Sequence, residues 1–252
     1  MFTPLIDRLT LSGKRKRYPG PPPGEEMVKA LRELTEKTKH CDLPDIPMDE
    51  LDYTVIDTET TGFYPHEGDE IISLGAVKMR GTKILTAEKF DQLVNPFRPI
   101  PEKITLLTGI DNNATNQKKD VFTVLRELME FIGDTVVVGH ALGLDLSFIN
   151  RKLKLFCNTR FYNIIIDTKG IAMIMFPPHN PTDLDSLLHM HGIESVNRHT
   201  ALGDALLTAR LFGLFIEKMR CKNVITVRDL DKYLDLGNNY AADKTNNAYF
   251  YW

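Results

Sequence analysis

Asp57-Thr58-Glu59-Thr60-Thr61-Gly62 is the stretch on which the reading of the chain turns. It follows the short apolar run Tyr53-Thr54-Val55-Ile56, which has the composition of a buried β-strand. Two carboxylates therefore stand at a strand end, before a glycine that permits a turn. Side chains alternate along a strand, so Asp57 and Glu59 share a face wherever the extended backbone persists. Paired hard oxygens suit Mg²⁺ or Mn²⁺. Without a cation or a proton between them they repel. The spacing alone is not specific, since Asp183-Leu184-Asp185 and Asp229-Leu230-Asp231 repeat it. A solvated surface or a helix cap explains such a pair more often than a site does. A Ca²⁺ loop of the EF-hand kind is excluded, because Gly68 stands where its twelfth-position Glu is required.

Beyond the motif, Phe63 to Asp69 is polar and loop-like, and Ile71 to Val77 reads as a second strand. A turn at Arg80-Gly81-Thr82 leads to a third strand ending near Phe90 to Val94, which makes a β-meander. Asn95-Pro96 and Pro99-Ile100-Pro101 break the pattern, and Ile104 to Ile110 fits a short helix and turn. Val121, Val124, Leu125, Leu128 and Ile132 recur at helical spacing before Gly133. Thr135 to Val138 is a fourth strand, and a helix with Phe148, Ile149 and Leu153 starts near Asp145. Asn163 to Ile166 is a fifth strand ending at Asp167; the helix after it stops at Pro177-Pro178. Further helices are expected over roughly Leu184 to His191 and from Thr200, the last with Leu202, Ala205, Leu206, Ala209, Phe212 and Ile216 on one face. Antiparallel strands followed by alternating helix and strand predict an α/β fold, a mixed five-stranded sheet flanked by helices.

The 252 residues divide on this reading into an extension over 1–52, a core domain over 53–220 and a tail over 221–252. The extension has a basic run, Lys14 to Arg17, a Pro- and Gly-rich linker, Tyr18 to Gly24, and a short helix with Met27, Ala30, Leu31 and Leu34 on one side. The basic run reads as a solvated terminus in preference to a phosphate-contacting arm. The tail closes on Tyr249-Phe250-Tyr251-Trp252, an aromatic patch that docks on its own domain or on a partner. A net charge of −3 gives no global signal for nucleic acid. It does not argue against it, because acids at a metal site count as negative until cations bind. Cys41, Cys157 and Cys221 have no metal or redox spacing and suit a reducing, cytoplasmic setting. No apolar run reaches membrane-spanning length, and no secretory signal is expected.

Two more segments complete a constellation. Gly139-His140-Ala141-Leu142-Gly143-Leu144-Asp145 puts a carboxylate just beyond the fourth strand. Arg198-His199-Thr200-Ala201-Leu202-Gly203-Asp204 puts one in the first turns of a helix, with His199 five residues before it. Taken singly, Asp145 and Asp204 would be helix-terminal charges and His199 a surface residue. His189 and His191 lie on different helix faces and are set aside as a metal pair. Together, in this order, the motifs resemble the DEDDh (DnaQ-like) 3′–5′ exonucleases, the family that includes the bacterial DNA polymerase III epsilon proofreading subunit. The resemblance covers about Tyr53 to Met219.

The resemblance implies a ribonuclease H-like fold, metal ligation by Asp57, Glu59, Asp145 and Asp204, and a general base at His199. It also implies nucleotide contacts from Thr60, Thr61, Gly62 and Phe63, with Phe63 as an apolar wedge. This chain has Ala141 and Leu144 where the family usually has Asn and Phe. The implied cofactors are two Mg²⁺ (or Mn²⁺) ions, whose paired charges suit a phosphodiester transition state. An imidazole titrating near neutrality suits proton removal from water. The implied substrate is nucleic acid, with single-stranded or frayed DNA 3′ ends expected, and replication or repair as the setting. A polymerase acting in trans is an implied partner. A free tail with a Gln-led clamp-binding peptide is not found, since Gln92 falls in a predicted strand and Lys118-Lys119-Asp120 follows Gln117. The rivals are an RNA-trimming exonuclease of the same fold and a non-catalytic binding module, which would be expected to have lost one or more of these acids.

Overall fold

A computed structural model describes residues 18–39, 41–176 and 180–240. Helix α1 (Glu25–Lys37) is followed by strands β1 (Asp52–Thr60), β2 (Ile71–Arg80) and β3 (Lys83–Leu93). Helices α2 (Glu102–Thr108), α3 (Asn112–Thr115) and α4 (Val121–Ile132) lead to β4 (Val136–Gly139). Helix α5 (Gly143–Lys152) continues through a π-helical turn over Leu153–Cys157, and β5 (Ile165–Asp167) runs straight into α6 (Thr168–Met175). Helices α7 (Leu184–Met190), α8 (Ala201–Arg220) and α9 (Val227–Tyr240) complete the order.

The strands form one sheet in the order β3-β2-β1-β4-β5. β1 and β3 both pair with β2 antiparallel, and β1-β4 and β4-β5 are parallel. The expected mixed five-stranded sheet is therefore present, with β1 at its centre. Alternation along β1 feeds two core layers. Tyr53 and Val55 pack on the α8 side with Val77, Val138, Phe212 and Phe215. Ile56 packs on the other side with Leu74, Val137, Leu125 and Ile149. β1 runs on past Ile56 to Thr60, so the acidic motif lies within the strand and not beyond its end.

Segments on both sides of the expected core pack against it. Tyr18 and Leu31 are buried in the layer with α4 and α5, while Met48 and Leu51 are buried in the α8 layer. Pro47 bridges Thr226, and the Met48 N–H donates to the Ile225 carbonyl at 2.8 Å. The described part of the supposed extension is thus packed into the domain. The tail contains α9, whose Val227, Leu230 and Leu234 join the α8 layer. The basic run at 14–17 and the aromatic patch at 249–252 lie outside the described residues. Among the described residues, no helix is long and apolar enough to cross a membrane.

Candidate nuclease site

Asp57, in the central strand, faces Gly75 across the β1-β2 pairing. A Cβ at position 75 would overlap the backbone of Ala201 and Leu202. The glycine therefore lets the first turn of α8 lie directly on the sheet, and that turn carries Asp204. One carboxylate oxygen each from Asp57, Glu59 and Asp204 fall within 4.8 Å of one another. The strand alternation inferred from sequence thus holds through Glu59. A register shift follows between Glu59 and Thr60, a device that re-aims side chains beside sites.

Asp145 arrives from a different direction, in the first turn of α5. The Thr58 hydroxyl, on the opposite face of β1 from Asp57 and Glu59, donates to Asp145 Oδ1 at 2.6 Å. Asp145 is not part of the close oxygen triplet, yet its charge is felt there. Asp57 is pushed well above the usual carboxylate range by burial first, then by the charges of Asp145, Asp204 and Glu59, with Arg198 opposing. Burial, then Asp204 and Asp145, push Glu59 up to about 7. Burial likewise pushes Asp145 up to about 7, against the Thr58 hydrogen bond. Such crowding holds protons unless a cation replaces them.

A divalent cation fits this donor set. Every candidate ligand atom is a carboxylate oxygen, the chemistry of Mg²⁺ and Mn²⁺. Asp204 is buried, and its Oδ1 has no hydrogen-bond partner among the described residues. Its Oδ2 is engaged by the Arg198 guanidinium and, at 3.3 Å, by the His199 N–H.

His199 sits in the loop before α8, next to Thr200, whose side chain caps that helix by accepting from the Gly203 N–H. Asn197 and His199 both adopt left-handed backbone, at φ of 59° and 60°. His and Asn tolerate that region better than most residues. The conformation brings the His199 main chain onto Asp204. Arg198 spans Asp204 and Asp185, with Nε to Asp185 Oδ1 at 2.6 Å.

The expected nucleotide-side residues follow the bulge. Thr60 Oγ1 donates to the Gly62 carbonyl at 2.6 Å, closing a tight turn. Gly62 lies against the Asp69 carboxylate, where a Cβ would overlap it. Phe63 is 61% exposed, as an apolar wedge requires, and Tyr64 beside it equally so. Thr61 differs from expectation. It is buried, its hydroxyl donates to Asp69 and accepts from the Glu70 N–H, so it shapes the loop from inside.

Sequence reasoning passed over several residues. Arg198 and Thr58 are adjacent to motif residues, but only the fold shows that they touch Asp204 and Asp145. Asp167, at the end of β5, caps α6 by accepting from the Lys169 N–H. It also accepts from Ala141 N–H at 2.8 Å and Leu142 N–H at 3.0 Å, which fixes the turn leading to Asp145. His140 is bonded to Thr168 at 2.9 Å, and burial, then Lys169, push its imidazole down to about 4. It is a neutral structural histidine.

An acid cluster at the centre of a ribonuclease H-like sheet points to a class, the hydrolytic nucleases. The family described as Exonuclease (RNase_T) matches residues 54–212. The DNA polymerase III subunit epsilon of Aquifex aeolicus is 39% identical over 167 residues, 66% of this chain and 81% of that protein. A DNA polymerase III subunit epsilon-like protein of Rhodobacter capsulatus is 34% identical over 87% of this chain, which spans only 32% of that relative. The PolC-type DNA polymerase III of Bacillus subtilis is 31% identical, and the chain spans 14% of its length. The nuclease domain of 3′hExo, a DEDDh family member bound to rAMP, shares the fold at a TM-score of 0.59 and 19% identity, covering 67% of this chain and 93% of that one. The chain belongs to the exonuclease family.

Proposed function

We propose that this protein is a metal-dependent 3′–5′ exonuclease that hydrolyses DNA from a free 3′-hydroxyl and releases 5′-mononucleotides. The observation that carries the reading is the convergence of Asp57, Glu59 and Asp204 oxygens within 4.8 Å, with Asp145 and the His199 main chain bound into the same cluster. Two divalent ions held by these acids would supply Lewis-acid stabilisation of the attacking and leaving oxygens. In this proposal Asp57, Glu59, Asp145 and Asp204 are the ligands. His199 is the base that takes the proton from water. Phe63, with Thr60 and Gly62 setting its turn, stacks on the terminal base. Stacking tolerates any base, so sequence preference is weak.

The relatives named as polymerase III epsilon subunits support a polymerase partner in trans and a proofreading or repair role. We further take the functional unit to run from Tyr18 through α9, wider than the 53–220 span suggested by sequence, because both flanks pack into its core. The reading is tested with 5′-labelled single-stranded DNA and RNA of one sequence, incubated with Mg²⁺ or with EDTA. Stepwise shortening of the DNA from its 3′ end, in Mg²⁺ alone, is expected. Preferred shortening of the RNA would move the assignment to an exoribonuclease. No shortening of either would favour the binding module.

A further inference from the structure

Helix α5 carries Asp145 in its first turn and Lys152 at its last position. Lys152 is only 1% exposed, and its ammonium pairs with Glu70, equally buried. The Tyr18 ring covers that ammonium, with its centroid 4.2 Å from Nζ. Phe122 and Phe156 in turn hold the Tyr18 ring edge-on, at 5.5 and 5.7 Å. Glu70 grips the start of the nucleotide-side loop through its backbone. Its N–H donates to Thr61 Oγ1 at 3.0 Å, and its carbonyl accepts from the Thr61 N–H at 2.8 Å. Asp69 accepts from Thr61 Oγ1 at 3.0 Å and from the Tyr64 N–H at 3.1 Å, while Arg98 pairs with it at 2.9 Å.

A buried charge pair is a poor source of stability, and an apolar pair of similar volume often serves a fold as well. What Glu70 and Lys152 join is more telling: the loop bearing the exposed Phe63 and Tyr64, and the helix bearing Asp145. A charge pair sealed under an aromatic ring is directional in a way that apolar packing is not. We propose that Tyr18, Glu70 and Lys152 are positioning residues, a brace that fixes the loop Thr60–Tyr64 against α5 and so sets the grip on the terminal nucleotide. The segment before α1 thereby takes part in substrate binding through a ring that never touches substrate. The inference rests on the nuclease reading for its substrate and adds to it a set of residues outside the motifs.

The test is a double variant, Glu70→Gln with Lys152→Met, which removes both charges and leaves neither unpaired. Its Tm and its Mn²⁺-binding midpoint by calorimetry should stay near the parent's. Its kcat should stay within about twofold, while KM for a single-stranded 3′-hydroxyl oligonucleotide rises about tenfold, what one weakened stacking contact is worth. Parent-like Tm together with parent-like KM would overturn the brace, as would a fall in kcat at unchanged KM. A second pair of variants serves if the double variant does not fold. Tyr18→Ala should raise KM, and Tyr18→Phe, which keeps the ring and loses only a hydroxyl with no hydrogen-bond partner among the described residues, should restore it. Failure of the Phe variant to restore KM overturns the proposal. If the parent protein releases no nucleotide at all, the nuclease reading fails independently, and hydrogen exchange at residues 61–64 decides the brace. Faster exchange there in the Tyr18→Ala variant, and not in β1 or β2, supports it; unchanged exchange overturns it.

Discussion

Replacing Glu59 by Gln is expected to change how the metal-free protein responds to pH. Burial and the neighbouring Asp204 and Asp145 move the Glu59 carboxyl from an ordinary 4.5 to about 7. A carboxyl that holds its proton more tightly when folded than when unfolded favours the folded state at low pH. That contribution is lost as pH rises from the unfolded value to the folded one, here between 4.5 and about 7. At about 1.4 kcal/mol per unit, the loss between pH 5 and pH 8 is roughly 2–3 kcal/mol. Gln cannot ionise and does not pay it. Urea unfolding in EDTA at pH 5 and pH 8 should therefore show the parent losing stability relative to Glu59→Gln across this window. Saturating Mn²⁺ should reverse the order at pH 8. A cation at a hundredfold its Kd adds about 2.7 kcal/mol to the state that binds it, and the variant has lost a ligand. A parent-minus-variant difference that stays flat from pH 5 to pH 8, with equal metal stabilisation of both, would refute the picture of mutually crowded acids.

Other outcomes follow from single contacts. Gly75→Ala should push the first turn of α8 off the sheet, costing about 1–3 kcal/mol by urea unfolding and most of the turnover; full activity would show that Asp204 does not depend on that close approach. His199→Ala should lower kcat by about 10²–10⁴ while calorimetry shows Mn²⁺ binding retained, and undiminished turnover would move the base elsewhere. Leu31→Ala, in the segment that looks dispensable from sequence, should cost about 2–5 kcal/mol, and a stability within error of the parent would return α1 to the status of an appendage.

The centre of the fold was legible because β1 is read by local rules. Val55 and Ile56 feed opposite core layers, and the same alternation puts Asp57 and Glu59 on one face. That Asp57, Glu59 and Asp204 come together was legible because the order and spacing of their motifs are written in the chain. What lay hidden depends on contacts between distant residues. Tyr18 stands in a Pro- and Gly-rich stretch that reads as a linker, and only Phe122, Phe156 and Lys152 make it a core residue. Helix α9 lies in what reads as a tail, although Val227, Leu230 and Leu234 stand at helical spacing. Thr61 was assigned to the substrate side by its place beside Thr60 and Gly62, yet the bulge after Glu59 and the demands of Asp69 and Glu70 turn it inward. The Arg198 bridge between Asp185 and Asp204 has no sequence signature beyond its adjacency to His199.

The central claim is that four acids hold metal for hydrolysis at a chain end, and an endonuclease with the same ions would act without an end. The most direct measurement compares a linear single strand bearing a 3′-hydroxyl, the same strand bearing a 3′-phosphate, and its circular form, each with Mg²⁺, for the parent and for Asp204→Asn. Rapid release of 5′-mononucleotides from the hydroxyl-ended strand alone is expected, with slow release from the 3′-phosphate, none from the circle, and none by the Asp204→Asn protein. Cutting of the circle as fast as the linear strand, or full activity in the Asp204→Asn protein, would contradict the account.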